Sequence, residues 1–310
     1  MDVLSDVISV MRTGRPRSAQ VTWHAPWAQR FAGVPGSAGF QIILGGPCTL
    51  VEPGPVALAP GDVLLVPHGR GLTLADSAST PVTVPECEPT GPPGQRGAVA
   101  VVGEPSGPSG PGGPTVTLCG AYELDRALTH PFLLSLPELI HLPAHLGRHP
   151  ELRTVVDLLA AELAAPRLGG DAAVRALLDT LLLLILRSWV DDAAPDTRTG
   201  WAAALRDPAT VAALDAVHRD PARPWTVATL AAEAGLSRAP FARRFAELTG
   251  RPPLAYLTWW RMTLAARLLR QTDAPLHAIA RRVGYGSEYA FTAAFKRQYA
   301  LPPGRYRRSG

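Results

Sequence analysis

The chain has 310 residues, enough for two domains that each bury a core, and a net charge of +4. Its three cysteines exclude a disulfide framework. With no secretory leader and no apolar run near the roughly 18 residues of a membrane span, the sequence predicts a soluble protein of the reducing cytosol.

The charge is divided unevenly along the chain. Residues 1–200 hold 13 arginines against 19 acidic residues, whereas residues 201–310 hold 17 basic residues against 7 acidic ones. A net −6 followed by a net +10 predicts an acidic module joined to a basic one that binds a polyanion.

Residues 20–84 are predicted to form short strands, separated by turns rich in glycine and proline at residues 45–47, 52–55 and 60–62. The expected strands are Gln41–Leu44, Cys48–Glu52, Val56–Leu58, Val63–Val66 and Leu72–Ala75. Such close spacing is typical of a small β-barrel or sandwich. Another strand is predicted at Thr115–Leu124, and the residues from Pro85 to Pro114 are expected to form a loop around one more strand near Ala98–Val102.

The apolar spacing changes to that of helices from about Glu151. One amphipathic helix is predicted near residues 152–163 and a second near residues 174–189. The second is apolar on nearly all sides, so it is expected to pack on the barrel and on a partner helix or a second subunit, as in a homodimer through residues 174–189. The predicted domains are residues 1–192, a linker over 193–205, and residues 206–310.

The basic half contains two helices joined by a tight turn. Val227–Glu233 is predicted as the first helix and Arg238–Thr249 as the second, with the turn and N-cap at residues 235–237. Three apolar residues of the second helix recur at helical spacing and are expected to face the core: Phe241, Phe245 and Leu248. This pattern predicts a helix-turn-helix, whose second helix enters the DNA major groove.

The pattern recurs about 50 residues later, with helices predicted at Leu276–Val283 and Glu288–Tyr299 around a turn at residues 284–287. Between the two motifs, Pro253–Arg270 predicts a helix of about 25 Å. Two reading helices on one rigid strut would enter successive major-groove segments about 34 Å apart, so a monomer would read an asymmetric site. Charge alone would equally allow a plain helical bundle with solvated arginines, but two correctly spaced turns favour DNA binding.

Residues 209–308 closely resemble the DNA-binding domain of the AraC/XylS family of bacterial transcription regulators. The resemblance is carried by Ile279–Tyr285 with the sequence IARRVGY, by Tyr289-Ala290-Phe291, by Phe295-Lys296-Arg297 and by the closing segment Pro302–Arg307. It implies double-stranded promoter DNA and RNA polymerase as partners, and a location in the cytoplasm, on the nucleoid when DNA is bound.

The resemblance also implies which residues contact DNA. In the first recognition helix they are Ser237, Arg238, Ala239, Ala242 and Arg243, and in the second they are Ser287, Glu288, Tyr289, Thr292, Ala293, Lys296 and Arg297. Arg243 is the strongest candidate for a bidentate contact to guanine. Ala293 stands where a polar or basic reader is often found, so the second helix is expected to contribute mainly backbone contacts and shape recognition.

The first 190 residues resemble the cupin-like domain attached to a subgroup of these regulators, through residues 2–7, Trp27–Phe31, Gly61–Arg70 and residues 118–120. Two positions where a cupin enzyme supplies metal-binding histidines hold Gln41 and Leu72. We therefore expect no catalytic residues, no metal and no cofactor, although a small-molecule effector could still bind in the barrel mouth.

Several residues of this half have two interpretations. Trp23 and Trp27, with Gln41 and His68, could line a ligand mouth, although tryptophan is also ordinary core. Cys48 and Cys119 are redox candidates, although buried inert cysteine is commoner. His141, His145 and His149 are spaced for a metal site on a helix, but Pro143 and Gly147 interrupt that helix.

The sequence thus predicts a multidomain α+β protein with an N-terminal cupin-like β-barrel, flanking helices and a C-terminal all-α double helix-turn-helix. We expect a sequence-specific transcription regulator, activator or repressor, whose first domain senses an effector or dimerises. A metal-dependent cupin enzyme with an accessory helical domain is the alternative. A non-specific architectural protein is the third interpretation, and it would not need the acidic half.

Overall fold

The structure is a computed structural model that describes residues 2–82, 86–87, 99–104, 113–125, 128–144, 148–165, 167–193 and 198–308. In chain order its helices are α1 Val3–Met11, α2 Pro131–Leu134, α3 Pro150–Ala164, α4 Gly170–Asp192, α5 Gly200–Arg206, α6 Pro208–Arg219, α7 Val227–Glu233, α8 Arg238–Thr249, α9 Pro253–Gln271, α10 Leu276–Arg282, α11 Glu288–Tyr299 and α12 Pro303–Arg308. Its strands are β1 Arg12–Trp23, β2 Ala28–Phe31, β3 Ser37–Gly45, β4 Cys48–Glu52, β5 Val56–Leu58, β6 Val63–Val66, β7 Leu72–Ala75, β8 Val99–Val102, β9 Thr115–Leu124 and β10 Ile140–Leu142. None of these helices is long and apolar enough to span a membrane.

Cα packing divides the chain into two compact units. The sheet unit consists of Arg12–Arg126 and Leu136–Asp192, and the helical unit combines Met1–Met11, Ala127–Ser135 and Ala193–Gly310. The helical unit therefore includes two segments, α1 and the α2 region, from within the predicted 1–192 domain. Helix α5 also begins inside the predicted linker at 193–205 and ends one residue after it, at Arg206. The domain boundaries predicted from the sequence, after residue 192 and before residue 206, remain a prediction.

The sheet unit contains two sheets, one in the order β10-β6-β3-β9-β1-β8 and the other in the order β2-β7-β4-β5. Their facing sides share one apolar core, which includes Trp23, Ile43, Leu50, Leu64 and Leu74. Within the described residues no ladder joins the two sheets, so the cupin-like fold is the sandwich form of the predicted barrel or sandwich. The predicted fold class is confirmed.

Most predicted strands are present with their predicted bounds. The strand at Gln41–Leu44 extends to Ser37–Gly45, and the one at Ala98–Val102 begins at Val99. The rest of the predicted loop from Pro85 to Pro114 falls largely outside the described residues. The sequence analysis named no strand at β1, β2 or β10. It missed β1 because the residues of that strand are mostly polar or small and include a proline.

Helices α3 and α4 pack on each other and on the larger sheet. The hydroxyl of Tyr122 on β9 donates a hydrogen bond to the Leu178 carbonyl on α4 at 2.8 Å, and the Tyr122 ring lies 5.5 Å from that of Phe40. Most of the leucine, isoleucine and valine side chains of α4 are buried. The half-buried apolar side chains of the helix include Val174, Leu177, Leu183 and Trp189.

Candidate nucleic-acid interface

The first helix-turn-helix comprises α7 and α8, with the bounds predicted from the sequence. Thr226 and Thr229 form a capping box that starts α7. Gly235, at φ +65°, forms the turn because this left-handed conformation carries little penalty for glycine. Three α8 side chains face the core as predicted: Phe241 1%, Phe245 1% and Leu248 7% exposed.

The opposite side of α8 carries the candidate DNA contacts. Arg238, Ala239 and Arg243 are exposed and Ala242 is half-buried. Ser237 is the N-cap residue, but its side chain makes no capping bond, so its hydroxyl is available to a ligand. The Arg243 side chain makes no hydrogen bond or ion pair to any described residue, whereas its neighbour Arg244 is held by Asp207, the N-cap of α6.

The second helix-turn-helix comprises α10 and α11, as predicted except that α10 ends one residue early, at Arg282. The Ser287 hydroxyl accepts a hydrogen bond from the Ala290 amide at 3.2 Å and so caps α11. Phe291 and Phe295 are completely buried and lie 5.7 Å apart between ring centres.

Most of the outer positions of α11 are exposed to solvent. The exposed ones are Glu288, Tyr289, Ala293, Lys296 and Arg297, and Thr292 is half-buried. Tyr289 is 86% exposed, which is unusual for an aromatic side chain on a well-packed helix. Both recognition helices therefore present their predicted DNA-contacting residues to solvent, although their contacts with DNA remain a prediction.

Helix α9 is the predicted strut, with 19 residues and a length of about 28 Å. Its C-terminal half packs against α10, α11 and α12 through Met262, Ala266 and Leu269. Its N-terminal half supports the first motif, where the Tyr256 ring packs edge-on against Phe245 at 5.9 Å. One continuous helix thus carries both motifs.

Beneath the first motif lies a buried chain of polar groups that the sequence analysis did not detect. The Phe132 amide donates to His130 Nδ1 at 3.0 Å, so His130 carries its proton on Nε2. That Nε2 donates to the Tyr256 hydroxyl at 2.9 Å, which donates to His218 Nε2 at 2.7 Å. His218 Nδ1 then donates to Asp6 on α1 at 3.1 Å. The polar groups therefore form one ordered chain from α2 to α1.

Burial disfavours charge on both histidines. Desolvation lowers the pKa of His130 well below its ordinary value, and His218 and Arg251 lower it further. Desolvation also lowers the pKa of His218, against the opposing pull of Asp6, Asp215 and Asp2. No sequence pattern connects Asp6, His130 and His218, because the groups that hold them are far apart in the chain.

In the sheet unit the four ligand candidates have different surroundings. Trp23 and Trp27 are each 3% exposed and stacked at 4.7 Å, and their ring N–H groups donate to Thr117 and Thr115. These bonds fit the core interpretation of both tryptophans. His68 Nε2 donates to the Leu136 carbonyl at 2.8 Å.

Gln41 is the fourth ligand candidate, and it is also buried. Its Oε1 atom has no hydrogen-bond partner among the described residues, although the side chain is only 4% exposed. An unsatisfied buried amide oxygen is costly unless a water or ligand donates to it. Gln41 is therefore the ligand candidate that the structure leaves with unused bonding capacity.

The two redox candidates lie in environments that suppress thiolate formation. Burial raises the pKa of Cys48 to about 12, with a further contribution from Asp62. Burial likewise raises the pKa of Cys119 to about 12, and the nearby Cys87 adds to this shift. A reactive thiolate is disfavoured at both sites.

The three spaced histidines do not share a helix. His141 lies on β10 and bonds Asp62 at 2.9 Å, whereas His149 precedes α3 and bonds Asp192 at 3.1 Å. His145 lies outside the described residues. Across the described part of the chain, no group of three or more His, Cys, Asp or Glu side chains is arranged to hold a metal ion.

Comparison with known proteins assigns both halves. A family model described as "Cupin" matches residues 2–191, and one described as "Helix-turn-helix domain" matches residues 230–309. A putative AraC-like transcription regulator of Streptomyces lividans is 35% identical over 99% of this chain and 98% of its own length. The HTH-type transcriptional regulator AlkR of Acinetobacter baylyi is 29% identical over 99% of both.

One similar solved structure is the DNA-binding domain of the global transcriptional factor AdpA in complex with a target DNA. It is 37% identical, covers 33% of this chain and 92% of that chain, and has a TM-score of 0.32.

Proposed function

The chain belongs to the AraC-like transcription regulators, and from this membership we propose that α8 and α11 read two successive major-groove segments of one promoter site. The observation that carries the proposal is the pair of exposed recognition helices on the single strut α9. Phosphate contacts from the basic half would supply affinity, and the side chains of the two helices would supply sequence selection.

Within α8, we assign base recognition to Arg243. Its guanidinium is exposed and makes no hydrogen bond or ion pair to any described residue, so it can donate both bonds that guanine accepts in the major groove. Arg238 and the Ser237 hydroxyl, at the N-terminal end of the same helix, are assigned to nearby bases or phosphates. In α11, Tyr289 and Glu288 are assigned to base edges, and Thr292, Lys296 and Arg297 to phosphates.

Replacing Arg243 with alanine is expected to weaken binding to the preferred site by about 1–3 kcal/mol, with a much smaller effect on unrelated DNA. The loss follows from the two donors that guanine no longer receives. Fluorescence anisotropy on a site selected in vitro, at fixed salt concentration, measures both affinities.

Arg243→Lys is the matched control, because lysine keeps the charge but cannot donate two parallel bonds. It should bind unrelated DNA like wild type and lose much of the preference for the selected site. If Arg243→Ala lost the same amount of affinity for every DNA sequence, Arg243 would contact only the DNA backbone.

For the sheet unit we propose effector sensing without catalysis. The unused Gln41 Oε1 supports a polar small molecule or water inside the sandwich. The positions where cupin enzymes bind metal hold Gln41 and Leu72, which disfavours the enzyme alternative.

RNA polymerase is the proposed protein partner, and the protein is proposed to act in the cytoplasm, on promoter DNA. An oxidant-sensing role for Cys48 or Cys119 stays a hypothesis, because both thiols would have to be deprotonated against their burial.

We also propose a homodimer through residues 174–189. Leu183 is a half-buried apolar residue on the side of α4 that carries the exposed residues Thr180 and Arg187, where a second subunit could cover it. Sedimentation of the full chain at micromolar concentration should then show a dimer, and Leu183→Glu should show a monomer. A monomeric wild type would refute the dimer, and Arg187→Glu, at an exposed position on the same helix, serves as the charge control.

A further inference from the structure

Arg261 lies on α9 at the point where the two helix-turn-helix motifs approach each other. Its Nε donates to the Pro221 carbonyl at 2.7 Å, and its Nη2 donates to the Arg223 carbonyl at 2.9 Å. Both carbonyls belong to the loop before α7. The half-buried guanidinium thus satisfies two backbone acceptors of the first motif.

The same loop is fastened to the first motif by further contacts. Arg223 pairs with Glu233 on α7 at 3.2 Å, and its guanidinium lies 4.1 Å from the centre of the Trp225 ring. The Trp225 ring N–H donates to the Asp220 carbonyl at 2.8 Å. The loop held by Arg261 is therefore a fixed part of the first motif.

On its other side Arg261 meets the turn of the second motif. Gly284 has φ +82°, and a Cβ at this position would lie 2.6 Å from Arg261 Nη2 and 2.9 Å from the Ala222 Cα. The guanidinium also lies 5.9 Å from the centre of the Tyr285 ring, within the range of a cation–π contact. The turn that starts α11 thus packs directly on the loop that starts α7, with Arg261 between them.

We propose that Arg261 is a positioning residue that fixes the relative orientation of the two recognition helices, and so sets the spacing between the DNA segments that the protein accepts. This inference depends on the proposed two-segment readout. A planar guanidinium with several fixed donors suits the role, because it holds two carbonyls and an aromatic ring at defined angles.

Whether both recognition helices can dock at once depends strongly on the spacing between the two DNA segments. Adding one base pair between two segments shifts one of them by about 3.4 Å and turns it by about 34° around the helix axis. A rigid pair of helices fits one spacing, whereas a loosened pair fits neighbouring spacings with similar affinity.

The test uses the full chain. A preferred site is first selected in vitro with wild type, and affinities are then measured for that site and for versions with one base pair inserted or deleted between its two segments. Wild type should prefer the selected spacing by about tenfold or more, and Arg261→Ala should prefer it by less than about threefold. Arg261→Lys, which retains the charge and some donors, should lie between them.

Two features of the experiment distinguish a change in spacing preference from a loss of folded protein or of positive charge. The spacing preference is a ratio of affinities measured on one protein sample, so partial unfolding of a variant cancels from it. Arg267→Ala is the matched control, because Arg267 lies on the same helix and bonds Gln271 and Ser9 instead of the motif loops. It should keep the wild-type preference.

An Arg261→Ala protein that retains the wild-type spacing preference would overturn the positioning role. Two other results would contradict the proposed function itself. Either the wild type enriches no DNA sequence in the selection, or the sites that it selects contain only one segment.

Discussion

Replacing Phe295 with alanine is expected to lower the free energy of unfolding of the second helix-turn-helix by about 3–5 kcal/mol. Phe295 is completely buried, and its ring lies 5.7 Å from Phe291, 4.7 Å from Tyr299 and 5.2 Å from Tyr306. Removing it leaves a cavity where α11, α12 and the strut meet. DNA affinity should fall as well, because α11 would lose its fixed position.

Hydrogen–deuterium exchange of peptides from α10 to α12 measures this change locally, which suits a chain of two units that need not unfold together. Tyr289→Ala is the control, since an exposed side chain on the same helix should change stability by less than about 0.5 kcal/mol. Unchanged exchange rates in Phe295→Ala would contradict the packing described for this motif.

Mild acid is expected to destabilise the helical unit. The pKa values of His130 and His218 are both lowered from the ordinary value of 6.5, so the folded unit binds fewer protons than the unfolded chain. Its stability is therefore fully present above pH 6.5 and falls as the pH drops below that value. Between pH 6.5 and pH 5 the loss from each histidine is at most about 2 kcal/mol, because one proton contributes about 1.4 kcal/mol per pH unit.

The hydrogen bonds of the two histidines also predict that protonation destabilises the folded unit. A proton added to His130 would displace the Phe132 amide from Nδ1, and one added to His218 would oppose the Tyr256 hydroxyl at Nε2. Urea unfolding followed by circular dichroism between pH 7 and 5 measures the dependence, in a range above the ordinary titration of carboxylates.

His130→Asn is the informative variant for this prediction. Asparagine still accepts a hydrogen bond at a helix N-cap but does not titrate, so the pH dependence should become shallower. His277→Asn, at an exposed position on α10, should leave the slope as in wild type. Stability that stays constant from pH 7 to 5 in the wild type would show that the two buried histidines are not the acid-sensitive groups.

The helical motifs could be predicted from the sequence because their signals are local. Phe241, Phe245 and Leu248 repeat at helical spacing before Gly250, and the same arrangement recurs at Phe291 and Phe295. Short strands such as Cys48–Glu52 were equally accessible, since turn residues bound them on both sides. Each of these features depends on neighbours within a few residues.

The features that escaped prediction depend on distant partners. In the sequence, Arg261 looks like one more solvated arginine on the strut. Its role becomes visible only in the structure, where the carbonyls of residues 221 and 223 and the turn at Gly284 surround its guanidinium. His141 and His149 were not expected to share a helix, but their separate carboxylate partners, Asp62 and Asp192, could not be identified from the spacing. The order of the strands within the two facing sheets likewise depends on long-range pairing.

The composition of the helical unit from three separate stretches of chain restricts how regulators of this kind can be recombined. Exchanging residues 193–310 alone between two relatives would leave His218 and Tyr256 facing whatever residues the recipient supplies for Asp6 and His130. A chimera that also transfers residues 1–11 and 127–135 keeps the four polar groups matched. During divergence, the same dependence would make substitutions in the first helix and in the DNA-binding portion evolve together, although more than 200 residues separate Asp6 from His218.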